Sequence, residues 1–125
     1  MEIKFAHLAY AVEATITIRI TSGSNDFRAR FTARTKSIDE EMVLLDSRGR
    51  NVSITDDGLV VLQRRVAVVE EHGELILGVE ATQGETAPTV VKRLKINPRQ
   101  ALRSEDYFSL GFCRLYVLVA WSMLP

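Results

Sequence analysis

Two histidines, one cysteine and a group of arginines are the side chains of this chain best suited to chemistry. Their spacing supports little of it. Hydrolysis by a side-chain nucleophile needs that nucleophile oriented by a base, and the base oriented by a third group. Only His7 and His72 can supply an imidazole, and neither stands in a motif with Ser, Asp or Cys. No Gly-x-Ser-x-Gly turn occurs. A small hydrolase would have to assemble its site from distant residues, with His7 or His72 as the base. Glu70, Glu71, His72 and Glu74 put metal-capable groups on one short segment, which reads better as a solvated, charged hairpin tip. Asp56-Asp57-Gly58 falls short of the dense oxygen array that calcium requires and suits a turn. No glycine-rich phosphate loop is present. Cys113 is the single cysteine, so an intrachain disulfide and a thiolate zinc site are both excluded. Its apolar neighbours mark it as a small buried hydrophobe rather than a reactive thiol. No catalytic residue, metal ligand or cofactor is therefore assigned.

The arginines ask for a different chemistry. Arg28, Arg30 and Arg34 share one parity, and Arg19 on the preceding run extends them into a candidate basic face. A sheet that reads nucleic acid stacks bases on exposed aromatics placed among such cations. Here Phe27 and Phe31 have the opposite parity, so they face the core while the arginines face solvent. Nucleic acid is thus not the expected partner. Phosphate-backbone contact or an acidic protein partner stays open beside an ordinary solvated face.

The elements that must position these residues are strands. Val12, Ala14, Ile16, Ile18 and Ile20 alternate with polar residues, and so do Phe27, Ala29, Phe31 and Ala33. With Ser22-Gly23-Ser24-Asn25-Asp26 between them, the two runs predict an antiparallel hairpin. Further strands are expected at Met42–Leu45, Asn51–Ile54, within Leu59–Val69, at Leu75–Ala81 and at Val90–Ile96. Ser37-Ile38-Asp39-Glu40 predicts one helical turn by its capping box. Asn97-Pro98-Arg99-Gln100 predicts one short helix by its cap and first-turn proline. The last strand, Cys113 to Trp121, is apolar on both faces: Cys113, Leu115, Val117, Val119 and Trp121 on one, Tyr116, Leu118 and Ala120 on the other. Such a strand is covered on both sides, by a second sheet or by a partner. The chain accordingly predicts an all-β fold over residues 1–125, an antiparallel β-sandwich or partly closed barrel with at most one short helix. Phe27, Phe31, Ile16, Ile18, Leu77, Val79, Leu94, Leu115, Val117 and Trp121 are its expected core.

At 125 residues the chain is the size of one domain. Sixteen basic and sixteen acidic residues cancel, which removes any general electrostatic pull toward nucleic acid or membrane and any repulsion between copies. There is no secretory pattern at the start and no apolar run long enough for a membrane span. A cytoplasmic setting is expected, and the sequon at Asn51-Val52-Ser53 is read as chance.

The final strand, Ala11-Val12-Glu13-Ala14-Thr15-Ile16, Leu44-Leu45-Asp46-Ser47, Arg64-Arg65-Val66-Ala67-Val68 and the closing Val119-Ala120-Trp121-Ser122 together resemble a domain of unknown function abundant in grasses. Members of that family stand alone or beside ribosome-inactivating N-glycosidase domains, including those of jasmonate-induced proteins. The similarity runs from about Glu2 to Leu124 and corresponds to the C-terminal half of the family domain. It implies a plant stress or defence context. It supplies no functional residue, because the matching motifs are structural.

The function expected from these observations is a non-enzymatic protein-interaction or assembly domain. The alternatives are an accessory, RNA-facing domain of a ribosome-inactivating toxin and the hydrolase described above. The apolar surplus on the last strand, together with Val61, Val69 and Ile76, points to a homo-oligomer. Tyr116, Leu118 and Trp121 are the candidate interface residues.

Overall fold

The structure, a computed structural model, describes residues 11–35, 41–70, 73–85, 87–97 and 103–123. Among these it has eight strands: β1 (Ala11–Gly23), β2 (Arg28–Thr35), β3 (Met42–Asp46), β4 (Val66–Glu70), β5 (Leu75–Thr82), β6 (Val90–Ile96), β7 (Arg103–Ser109) and β8 (Cys113–Met123). They form two four-stranded sheets. The terminal sheet runs β4-β1-β8-β7 and the middle sheet β3-β2-β5-β6. Every pairing is antiparallel. The fold is an all-β sandwich, which decides between the two architectures expected from the sequence. No helix occurs among the described residues; 37–40 and 98–102 lie outside them, and from Arg103 the stretch expected to carry a short helix between Asn97 and Phe108 is instead the strand β7, which the sequence did not lead us to expect. No helix is long and apolar enough to cross a membrane among the described residues.

Alternation fixed which residues face inward. Val12, Ala14, Ile16 and Ile18 of β1 meet Leu115, Val117, Val119 and Trp121 of β8 on the inner side of the terminal sheet. Ala29, Phe31 and Ala33 of β2 meet Leu77, Val79 and Ala81 of β5 on the inner side of the middle sheet. Phe27, Phe108 and Val69 fill the space between. Of the ten expected core residues nine are buried, and Leu94, on the edge strand β6, is partly buried against the others.

Alternation did not fix which strands pair. The hairpin expected between β1 and β2 does not form, because the two strands belong to different sheets. β1 instead lies between β4 and β8, and β8 matches its length over eleven paired positions. The turn after β1 crosses to the second sheet. It is held where the Ser24 amide donates to the Phe112 carbonyl at 2.9 Å. Gly23 makes the crossing possible: its φ is 91°, and a Cβ there would collide with the Phe112 carbonyl and the Cys113 backbone. The charged tip expected at Glu70–Glu74 likewise joins strands of different sheets, β4 and β5.

The strand expected at Asn51–Ile54 is reduced to one bridge, Ile54 to Val60, around the Asp56-Asp57-Gly58 turn. The chain then runs irregularly beside β1. The Val60 amide donates to the Ile18 carbonyl, and the Ile16 amide donates to the Arg65 carbonyl. The Gln63 and Arg64 amides both donate to the Leu44 carbonyl on β3. This segment therefore ties the two sheets together along one side. Leu44 and Leu45 are both buried because the β2–β3 register slips between Phe31 and Thr32.

Candidate functional site

With the core closed, chemistry is left to the outer faces of the two sheets. On the terminal sheet the outward residues stand in rows set by the register. Tyr107, Tyr116 and Arg19 lie abreast, then Glu105, Leu118 and Thr17, then Arg103, Ala120, Thr15 and Val66. The Tyr107 and Tyr116 rings pack tilted at 5.5 Å, and the Arg114 guanidinium sits 4.0 Å over the Tyr107 ring. The Tyr116 hydroxyl donates to a Glu105 carboxylate oxygen. That hydrogen bond, with the carboxylate charge beside it, holds the Tyr116 phenol above its ordinary ionisation range. Val66 and Val68 on the edge strand β4 and Tyr107 on β7 are large exposed hydrophobic residues of this face. Among the described residues the second side of β8, expected to be covered, is thus open.

Two of the three candidate interface residues lie on this face, Tyr116 and Leu118, each half-buried. Trp121 does not. It has the opposite parity and points into the sandwich, where it is buried and its Nε1–H donates to Ser104 Oγ at 3.0 Å. It is a core residue with its one polar group satisfied, so it cannot anchor a partner.

The four-arginine face is not assembled either. Arg19 stands on the terminal sheet and Arg28, Arg30 and Arg34 on the middle sheet, because β1 and β2 do not pair. Arg19 donates to the Asp57 carbonyl at 3.0 Å and Arg28 to the Gly84 carbonyl at 2.6 Å. Arg30 lies 3.0 Å from Glu41 and 3.9 Å from Asp46, with Glu80 abreast on β5. Most of the stripe is thus engaged by carbonyls or offset by carboxylates. Phe27 and Phe31 are buried behind it, as their parity required.

The middle sheet holds a feature that sequence reasoning missed. Across its outer face Thr32, Gly78 and Arg93 stand abreast, and Arg34, Ile76 and Lys95 form the next row. Gly78 has no side chain to fill its place. A depression of about 320 Å³ opens there, lined by these six residues and Glu41. The signals were a glycine at an outward position of β5 and basic residues at the outward positions of β6. Only the register between the strands brings them together.

Cys113 is buried among apolar groups, and this pushes its thiol up to about 11. It is inert rather than nucleophilic. His7 and His72 lie outside the described residues. Among the described residues no group of three His, Cys, Asp or Glu side chains has the arrangement to hold a metal ion.

A solved structure titled "Structure of a C2 domain" is similar to 90% of this chain and 98% of its own, at 12% identity and a TM-score of 0.43. No curated protein matches the sequence. The family expected from the strand motifs is found in its coarse form: a family model matches residues 1–119, and the chain belongs to the family described as "Domain of unknown function (DUF6598)".

Proposed function

We propose that this domain is a non-enzymatic protein-interaction and assembly module that works through the outer face of its terminal sheet, with a second copy of itself as partner. The observation that carries this reading is that large apolar side chains are exposed at both edges of one sheet face, Val66 and Val68 on β4 and Tyr107 on β7, with the half-buried Tyr116 and Leu118 between them. The edges differ in a way that supports it. β6 carries Lys92, Arg93 and Lys95, and β7 carries Arg103, Glu105 and Asp106, charges that discourage further strand pairing. β4 instead presents two valines. A second copy suits the face because its charges have both signs, Glu13 and Glu105 against Arg19, Arg103 and Arg114, so a two-fold contact can pair them. Zero net charge leaves no long-range repulsion against the approach.

Size exclusion with light scattering at micromolar concentration tests this. The expected mass is twice the 14.0 kDa of one chain, with Val68→Glu and Leu118→Glu returning a folded monomer. A wild-type chain that stays monomeric on concentration overturns the reading. The resemblance to grass proteins further supports a role in plant stress or defence, which we place in the cytoplasm on the sequence pattern. Transcript induction by jasmonate, together with a diffuse cytoplasmic signal from a fluorescent fusion, is the expected outcome. A flat transcript response removes the stress role.

A further inference from the structure

We infer that the depression over Gly78 is a binding site for a soluble phosphomonoester, separate from the assembly face on the other sheet. Gly78 lies in the interior of β5, a central strand, where glycine weakens a sheet and commonly marks a bulge or the close approach of a ligand. No bulge explains it. The register is unbroken on both sides, Thr32 to Gly78 and Gly78 to Arg93. Its backbone does not explain it either, since its φ is not among the positive values found at Gly23, Gly49, Gly58, Gly84 and Gly111. What the missing side chain leaves is room that the Thr32 hydroxyl partly takes, at the floor of the depression. A Cβ at this position would come within 2.9 Å of Thr32 Oγ1, so any larger residue displaces that hydroxyl and fills the floor.

The walls match an oxyanion. Arg34, Arg93 and Lys95 surround the floor, and Glu41 is the one carboxylate in the lining, 4.0 Å from Arg34. The lining therefore carries a net of two positive charges, which suits a phosphomonoester of roughly −1.5 to −2 at neutral pH. The Thr32 hydroxyl adds a donor, and the guanidinium of Arg93 offers a two-pronged contact. Ile76 gives one apolar wall for the organic part of the ester. A free ester fits better than a membrane surface. Beyond the depression, Glu80 and Asp46 interrupt the cations of the same face, whereas membranes recruit uninterrupted basic clusters.

Phenyl phosphate is the probe, titrated into isotope-labelled protein and followed by the amide resonances of Thr32, Gly78 and Arg93. Saturable shifts at these amides are expected, absent with sodium chloride at equal ionic strength. Arg93→Gln should weaken binding roughly tenfold or more, the size of a lost charge-assisted contact. Gly78→Ala removes no charge, but it fills the floor and displaces the Thr32 hydroxyl. It should abolish saturation while leaving the circular dichroism spectrum unchanged, and Lys95→Gln gives an independent variant if it does not fold. Shifts that never saturate overturn the site, as does full binding by folded Gly78→Ala. Binding to phosphatidic acid vesicles without binding to phenyl phosphate assigns the face to a membrane and overturns the proposal. A dimer–monomer change in the Leu118→Glu variant leaves these outcomes untouched, so the two readings fail separately.

Discussion

Single side chains carry two sharp expectations. Cys113 keeps its proton in the folded chain up to about pH 11, because burial disfavours the thiolate, against 9.0 for a free thiol. The unfolded chain gives up that proton first. The fold therefore loses stability as pH rises from 9 toward 11, and below pH 9 the thiol contributes no pH dependence. Tyr116 acts in the same direction above the free phenol value of 10.0, since its hydrogen bond to Glu105 requires the neutral phenol. Denaturant melts across this range should show a shallower alkaline decline for Cys113→Ala than for the parent. An identical slope would mean that the thiol is accessible. Thr35 supplies the second expectation. Its hydroxyl oxygen is buried without a hydrogen-bond partner among the described residues, so Thr35→Val, nearly the same shape, should raise stability by about 1 kcal/mol. A loss of that size in chemical denaturation would reveal a partner for the hydroxyl.

At the scale of elements, Gly23 and β8 matter most. Gly23→Ala puts a Cβ into the Phe112–Cys113 backbone and strains a positive φ. The backbone term alone is about 1–3 kcal/mol, and the collision adds to it. Leu115 is fully buried on β8, which lies between β1 and β7, and Leu115→Ala should cost about 2–5 kcal/mol. A melting midpoint like that of a surface variant would remove β8 from the centre of the sheet. These elements also show what was legible in the sequence. Period two told inward from outward along β1, β2, β5 and β8, because side-chain parity is a local property. Partner choice is not local. Nothing in Val12–Ile20 distinguishes β2 from β8 as a neighbour, so the expected hairpin and the four-arginine face failed together. The Gly78 depression was hidden for the same reason: Thr32, Gly78 and Arg93 are far apart in sequence and meet only through two registers.

For the whole molecule, the two outer faces should respond oppositely to salt. The contact proposed for the terminal sheet buries Val66, Val68, Leu118 and Tyr107, so sodium sulfate should hold or strengthen the association. The middle-sheet site works through Arg34, Arg93 and Lys95, partly exposed cations that salt screens. Raising sodium chloride from 50 to 500 mM should therefore weaken phenyl phosphate binding several-fold while the light-scattering mass holds. A mass that falls in step with phosphate affinity would show that one electrostatic surface serves both.

The position of β8 also governs when the domain becomes a domain. The middle sheet draws only on Arg28–Ile96, one continuous stretch. β1 is made before that stretch, and its longest partner comes after it, with Ile16 opposite Val119. A ribosome adding roughly 5–20 residues per second leaves Ile16 and Ile18 waiting about 5–20 s for the strand that covers them. During that interval the middle sheet can close while the apolar face of β1 stays open to chaperones or to another nascent copy. Biosynthesis of this fold is thus completed by its last strand, and ribosome-bound chains halted before Cys113 should be the aggregation-prone species.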